Sequence, residues 1–439
     1  MARSKSLTTS WAHAAAAVLL VGVLAGLAGC EWLWPSQQWT GDIASSPLDR
    51  DTDPDVPAGD VAALVAGNTA FAFDLLHELT PDAANLIYSP FSISAALTIT
   101  YAGAVGATKA QMASALHFGL EQGTIHAVFN YLDLELHDRT GLGYPYPDDD
   151  FELNVVNAAW GQRGYTFKSK YLDVLAVNYG AGLHLLDFEG DPDGSREMIN
   201  DWVSQQTDDR IPDLLPPASV DHATRLVLTN ACYFTASWLY PFDPGQTGLG
   251  SFEPLDGDRV YVPMMRQRRS LDYASWDGGQ AVELPYCAPQ LSMLLLVPDQ
   301  GTFEAFEAGL DVARYENILS SLEPRLITLL MPRFEASYDA SLVDPLIALG
   351  MEDPFVGGIA DFSDIDGTHN LYISDVAHKS WITVDEAGTE AAAATSVIMP
   401  PVSHGDPLPL TINRPFLFVI RDIPTNTILF LGRIVEIAD

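Results

Sequence analysis

The 439-residue chain reads as one mixed α+β domain behind an export segment, and three observations point there. Apolar residues make up 48 % of it and charged residues 18 %, a globular composition with proline and glycine spread along the chain. Helical apolar spacing comes early, and β-branched and aromatic runs bounded by Pro, Gly or Asp dominate further on. No Pro/Gly/Ser-rich stretch with a charge run follows about residue 60, so one large domain is expected although the length allows two or three.

The N-terminus carries Arg3 and Lys5, an apolar run from Ala14 to Leu27, and then Ala28, Gly29 and Cys30. This is the order of an export signal, too short to span a bilayer comfortably. Leu27 to Cys30 is similar to the bacterial lipobox, in which the chain is cut before the cysteine and the thiol takes a diacylglycerol. Residues 1–29 are therefore expected to be a signal peptide and Cys30 the lipidated residue, in preference to an ordinary secretory signal with an incidental cysteine. By the convention of such lipoproteins, Glu31 in place of Asp points to the outer membrane or cell surface.

Residues 30–58 lack apolar periodicity and read as a tether, which as a flexible coil reaches about 30 Å. Asp49, Asp51, Asp53 and Asp55 alternate within it; a solvated linker is the reading, and no metal is assigned. The folded domain is expected over 59–439.

In that domain Val61, Leu64, Val65, Phe71, Leu75 and Leu76 fall at helical spacing, and Thr80-Pro81 ends the helix. Ser89 supplies an N-cap oxygen and Pro90 suits the first helical position, so a second, mostly buried helix runs through Phe91 to Ala102. Strands are expected at Leu226 to Phe234, Leu291 to Val297, Leu326 to Phe334, Phe416 to Ile420 and Ile428 to Ile437, with helical segments at Met198 to Thr207 and Tyr338 to Leu349. Besides Cys30, the chain has Cys232 and Cys287 in apolar segments; buried thiols are favoured over a disulfide, and neither has a reactive context.

Acidic residues outnumber basic ones 58 to 22, a formal net charge of −36, so nucleic acid is excluded as a partner. The sequence has no Gly-x-Ser-x-Gly elbow, His-Glu-x-x-His pair, phosphate-binding glycine loop or Cys-x-x-Cys, and its ten histidines are scattered. A standard catalyst is not expected, nor a cofactor.

Residues 385 to 403 run Asp-Glu-Ala-Gly-Thr-Glu-Ala-Ala-Ala-Ala-Thr-Ser-Val-Ile-Met-Pro-Pro-Val-Ser and in isolation read as an alanine-rich helix or a flexible loop. Their neighbours change that. Asn85 to Ser94, Thr229 to Trp238, Glu283 to Tyr286 with Leu291 to Met293, Met331 to Phe334, His378-Lys379, Glu386 to Thr395, and Arg414 to Phe418 leading to Leu429 to Gly432 resemble the serpin family in order and spacing. The likeness runs from about residue 62 to 437.

The resemblance implies a fold of three β-sheets with about nine helices and an exposed reactive-centre loop. It also implies inhibition by bait: a protease cuts the loop and, while still acylated, is carried off as the loop inserts as a new central strand. The hinge is then Glu386, Gly388, Thr389, Glu390, Ala391, Ala392, Ala393, Ala394 and Thr395. Strand alternation puts Thr389, Ala391, Ala393 and Thr395 on one face of the inserted segment and Glu390, Ala392 and Ala394 on the other. Small inward side chains admit a strand without clashes, and Gly388 supplies a flexible turn. The inhibitory pattern is kept throughout.

Family spacing counted from Glu386 puts the scissile bond between Val402 and Ser403; cuts before Pro400 or Pro401 are disfavoured because proline is a poor leaving group. Valine there suits a small apolar specificity pocket, so the target is expected to be an elastase- or subtilisin-like serine protease. Ser89, Ser92, Asn230 and His378 match the family's polar residues beneath the opening sheet, and are expected to form a latch that rearranges on insertion. Trp238 matches a tryptophan near the point of loop entry. A heparin-like polyanion is not expected, because Lys109 is the only basic residue near Thr108 to Phe118, and Glu121, Asp133, Glu135 and Asp138 follow. The expectation is a monomeric, membrane-tethered suicide inhibitor; a cysteine-protease inhibitor using the same loop, or a non-inhibitory binding lipoprotein, are the alternatives.

Overall fold

A computed structural model describes residues 39, 41–79, 84–139, 152–288, 290–389 and 406–437. Its α-helices are α1 (Ala58–Leu79), α2 (Pro90–Tyr101), α3 (Gly106–Ala115), α4 (Gln122–His137), α5 (Ser169–Tyr179), α6 (Pro192–Gln206), α7 (Phe303–Ala308), α8 (Val312–Ser320), α9 (Val343–Ala348) and α10 (Ser363–Asp366). The strands of the first half are β1 (Ile43–Ala44), β2 (Leu86–Tyr88), β3 (Glu152–Gln162), β4 (Leu183–Leu186), β5 (Leu226–Ser237), β6 (Gly248–Phe252), β7 (Val260–Trp276) and β8 (Gly279–Pro285). Those of the second half are β9 (Leu291–Pro298), β10 (Glu323–Pro332), β11 (Phe334–Ser341), β12 (Asp375–Val384), β13 (Gly388–Thr389), β14 (Leu408–Thr411), β15 (Phe416–Asp422) and β16 (Thr427–Ile434).

A seven-stranded sheet has the order β1-β4-β3-β5-β13-β12-β11, and a nine-stranded one runs β14-β10-β7-β8-β9-β15-β16-β2 with β6 beside β7. The 17-residue β7 serves two neighbourhoods: β6 and β10 along most of its length, β8 at its C-terminal end. Dividing the larger sheet there gives the three sheets expected.

Between the sheets lies α2, whose twelve residues are all buried. Ser89 caps it by accepting from the Ser92 N–H at 3.2 Å, and Pro90 occupies its first turn, where a missing N–H costs nothing. On the opposite face of the seven-stranded sheet, Trp160, Val227, Ala231 and Ala377 pack with Ile199, Trp202 and Val203 of α6. Around the middle of β5 the sheet is therefore covered on both sides.

Three expectations need correction. The run Leu326 to Phe334 is two strands, since β10 ends at Pro332 in one sheet and β11 starts at Phe334 in the other, with the chain crossing at Arg333. The segment Tyr338 to Leu349 is strand through Ser341 and helical only over Val343–Ala348; ladder pairing to β12 outweighs local helix propensity there.

The tether is the third: residues 41–57 are docked, and 58 marks only the start of α1. Ile43 pairs with His184 at the sheet edge, and the Trp39 ring lies 5.2 Å from that of Trp160. Arg50 donates to Asn130 Oδ1 at 2.8 Å and ion-pairs with the buried carboxylate of Asp133, and the Asp51 N–H donates to Val177 O at 2.9 Å. Burying the Arg50–Asp133 pair fixes a segment whose own composition favours solvent. Cys30 and the rest of residues 30–38 lie outside the described residues.

Candidate functional site

The site is built along the seam between β5 and β12. These two strands pair in parallel from Val227↔Asp375 to Tyr233↔Trp381. Beyond that point they part, and β13 stands between them, with Gly388 opposite Ser237, and Thr389 opposite Ala236 on one side and Val384 on the other. The chain leaves β12, turns over three residues and re-enters the sheet as the start of a new antiparallel strand.

The turn is held from within. Asp385 Oδ1 accepts from the N–H of Ala387 at 2.8 Å and of Gly388 at 3.2 Å, and the Asp385 N–H donates to Gly388 O at 2.9 Å. Glu386 is buried against Arg333, whose guanidinium donates at 2.7 and 3.1 Å, and accepts the Thr247 hydroxyl. Burial pushes its carboxyl up, but the hydrogen bonds from Arg333 and Thr247 more than offset this and hold it below the ordinary glutamate range. Glu386 is thus the anchor of the loop's departure, and Arg333 is its partner.

Gly388 is needed for a reason other than flexibility: a Cβ there would lie 2.1 Å from the Ala236 carbonyl oxygen. Only glycine lets the backbone come so close to β5. Thr389 is fully buried, and its hydroxyl shares a hydrogen bond with Tyr286 at 2.8 Å. Trp238 stacks on Tyr286 with ring centroids 4.6 Å apart and planes 8° apart. It also donates through its indole N–H to Asp385 O at 3.0 Å and through its backbone N–H to Ala387 O at 2.9 Å. Trp238 therefore contacts the backbone of the turn directly.

Lower on the seam lies a polar row. Register puts Asn157, Asn230 and His378 side by side on β3, β5 and β12. His378 Nδ1 contacts Asn230 Oδ1; since that oxygen only accepts, Nδ1 carries the proton and donates. The Asn230 amide then donates to Ser92 Oγ on α2 and to Asn157 Oδ1, and Ser92 Oγ is 3.3 Å from Asn157 Oδ1. The remaining ring nitrogen of His378, Nε2, has no partner among the described residues, and burial pushes the imidazole down to about 3 from an ordinary 6.5. It is held neutral, because a second proton would be a buried charge with nothing to accept it.

Of the four residues expected as a latch and the tryptophan expected near loop entry, the structure brings Ser92, Asn230 and His378 together. Ser89 stands one turn back, capping α2 and facing the Cys232 thiol, whose ionisation burial suppresses. Trp238 is at the hinge, about 26 Å along β5 from Asn230. Cys232 and Cys287 are buried and not joined in a disulfide. Glu390, Ala391, Ala392, Ala393, Ala394, Thr395, Val402 and Ser403 lie outside the described residues. Asn157, Tyr286 and Arg333 were not anticipated. Tyr286 and Arg333 sit inside matched motifs, and Asn157 is a lone polar residue in an apolar run, a signal that register alone resolves.

The sheet is thus parted at one end by its own hairpin and joined below by a polar row. The family model for Serpin (serine protease inhibitor) matches residues 66–437. A serpin-like protein of Thermococcus kodakarensis is 39 % identical over 386 residues, covering 87 % of each chain. The leukocyte elastase inhibitor of Bos taurus is 37 % identical over 385 residues, 84 % of this chain and 98 % of that one. Among solved structures, the thermophilic serpin tengpin in its native state superposes with a TM-score of 0.76 at 26 % identity, covering 90 % of this chain and 98 % of that one. Uncleaved ovalbumin gives 0.75 at 27 %, covering 85 % and 100 %. The chain belongs to the serpin family, the serine protease inhibitors.

Proposed function

We propose that this serpin traps an elastase- or subtilisin-like serine protease by loop cleavage and strand insertion, from a lipid anchor on Cys30 at the outer membrane or cell surface. The observation that carries this reading is the placement of Thr389, already paired on both sides within the sheet. Its register extends simply. Six residues beyond Thr389 is Thr395; six back from Ala236 is Asn230, and six back from Val384 is His378. Insertion therefore drives Thr395 between Asn230 and His378, on the inward face because six is an even step along a strand.

The latch bond is broken by the strand that replaces it, and the Thr395 hydroxyl arrives where an acceptor and a donor have just been separated. One parallel ladder of seven residue pairs gives way to two antiparallel ladders, the more stable pairing per residue. Bait cleavage after Val402 is supported by valine's fit to a small apolar pocket, and by the two leukocyte elastase inhibitors among the relatives, at 37 % and 34 % identity. The test is incubation of the purified protein with an elastase-type and a subtilisin-type protease, followed by denaturing electrophoresis. An SDS-resistant complex with a fragment cut after Val402 is expected. Cleavage without any complex refutes the reading.

A further inference from the structure

The direction of β1 fixes the end at which the N-terminal segment enters the seven-stranded sheet. β3 runs away from the hinge, with Glu152 opposite Thr235 and Gly161 opposite Leu226; β4 is parallel to it, and β1 antiparallel to β4. The chain before β1 therefore comes in at the end remote from the hinge. Ile43 is opposite His184, His184 opposite Trp160, and Trp160 opposite Val227, which stands nine residues or about 30 Å from Ala236 beside Thr389. Trp39 packs its ring on Trp160 and His184 at that level, with centroids 5.2 and 5.3 Å apart. The same end carries residues 354–373: the Ile373 N–H donates to Pro354 O at 2.9 Å, and the Tyr372 hydroxyl donates at 3.0 Å to the carbonyl of Ala223, three residues before β5. Ile359 in this segment is 59 % exposed.

We infer that this end of the sheet faces the bilayer in the anchored protein, with the bait loop turned away, and that insertion brings the trapped protease between this end and the membrane and levers the body over. The inference rests on the lipid anchor and the inhibitory mechanism proposed above. Nine residue steps separate Cys30 from Trp39, about 16 Å as a coil and at most about 30 Å of chain. The anchor thus holds the Trp39 end against the lipid, and the hinge stands about 30 Å further out. Insertion reverses the advantage of that posture. Thirteen residues beyond Thr389 is Val402, and thirteen back from Ala236, its partner, is Ala223. The acyl bond therefore arrives at the membrane-facing end, four strand spacings or about 19 Å across the sheet from β1. A protease of about 230 residues is roughly 45 Å across. It overlaps the exit of the tether and exceeds the tether's full reach, so this end cannot stay against the bilayer once the protease is there.

The test is energy transfer from a donor dye on the body to acceptor dyes on the headgroups of neutral phosphatidylcholine vesicles, on which the acidic body feels no surface potential. The protein is purified from a bacterial host that acylates Cys30. Cys232 and Cys287 are buried, so Ile359→Cys and Tyr261→Cys each supply one accessible thiol for the donor. Tyr261 is 65 % exposed at the hinge end, two residues from Pro263, whose carbonyl accepts the Arg333 N–H. Transfer should be at least about threefold more efficient from position 359 than from position 261, which stands at least about 30 Å higher. A protease that the parent traps should then lower transfer from position 359 at least about twofold, because a body roughly 45 Å across has entered the gap. Transfer from position 261 equal to or above that from position 359 overturns the orientation. Unchanged transfer from position 359 after trapping overturns the levering. A protein that does not bind the vesicles refutes the lipid anchor, and the inference falls with it. One that binds in the expected orientation but traps no protease refutes the inhibitory reading and takes only the levering with it.

Discussion

His378 Nδ1 donates to Asn230 Oδ1, and this hydrogen bond joins the two side chains across the seam where β12 meets β5. The ring's other nitrogen is buried and among the described residues has no partner, so a proton added there would be a buried charge with no acceptor, and the imidazole is held neutral.

That makes the native form sensitive to acid. Folded, His378 takes its proton near pH 3; unfolded, near 6.5. Between those values the unfolded chain binds more protons, so stability falls as pH drops, by about 1 kcal/mol per pH unit. His126 and His184, both pushed down by burial to about 4, act in the same direction. Protonation of surface carboxylates meanwhile relaxes the self-repulsion of a −36 chain, so the histidine effect is isolated by comparison with His378→Asn, which keeps the donor and does not titrate. The parent's melting temperature should fall more steeply than the variant's between about pH 7 and about pH 5. Parallel slopes contradict the account.

The hinge separates two neighbouring positions sharply. Thr389 is buried on Tyr286, so Thr389→Arg places an unpaired charge at the first inserted position, at several kcal/mol. Protease should still cut after Val402 and then be released active. In an inserted strand alternation would put Glu390 on the face opposite Thr389, so Glu390→Arg should keep trapping within about twofold. Equal trapping by both variants, read on a denaturing gel, contradicts the assignment of faces.

The docked N-terminal segment gives a stability prediction. Asp133 has a side chain only 2 % exposed, and Arg50 is the cation paired with it. Arg50→Ala leaves a buried carboxylate behind and should cost about 3 kcal/mol, with a lowered melting temperature and new proteolytic cuts in residues 41–57. A melting temperature within about 1 °C of the parent's shows that the segment is not held by this pair.

Much of the fold was legible because its signals are local: the Ser89–Pro90 cap, the apolar strands and the motif order all lie within short windows. The latch was legible only as three family positions. Asn157 escaped notice because an asparagine in a strand reads as solvent-facing until register sets it beside Asn230. The docked segment was misread for a like reason: Arg50 finds Asp133 across 83 residues, and no periodicity announces such a contact. Gly388 was read as flexible, whereas the requirement is set by the Ala236 carbonyl on another strand.

The anchor is tested at one atom. Cys30→Ser removes the thiol proposed to take a diacyl chain, and the acidic body has no attraction to anionic headgroups of its own. In a bacterial host the variant should move from the membrane pellet to the soluble exported fraction. A variant that still pellets with membranes contradicts the lipid anchor.

The central claim is that the seam opens to admit the loop, and one measurement reaches it most directly: the melting temperature before and after a single cut near Val402. Insertion exchanges the β5–β12 ladder for two antiparallel ones and buries further side chains of the loop. The cut protein should melt at least about 6 °C higher than the intact one, the shift expected for a gain of about 5 kcal/mol in a domain of this size. A cut protein that melts at or below the temperature of the intact one contradicts insertion at the seam.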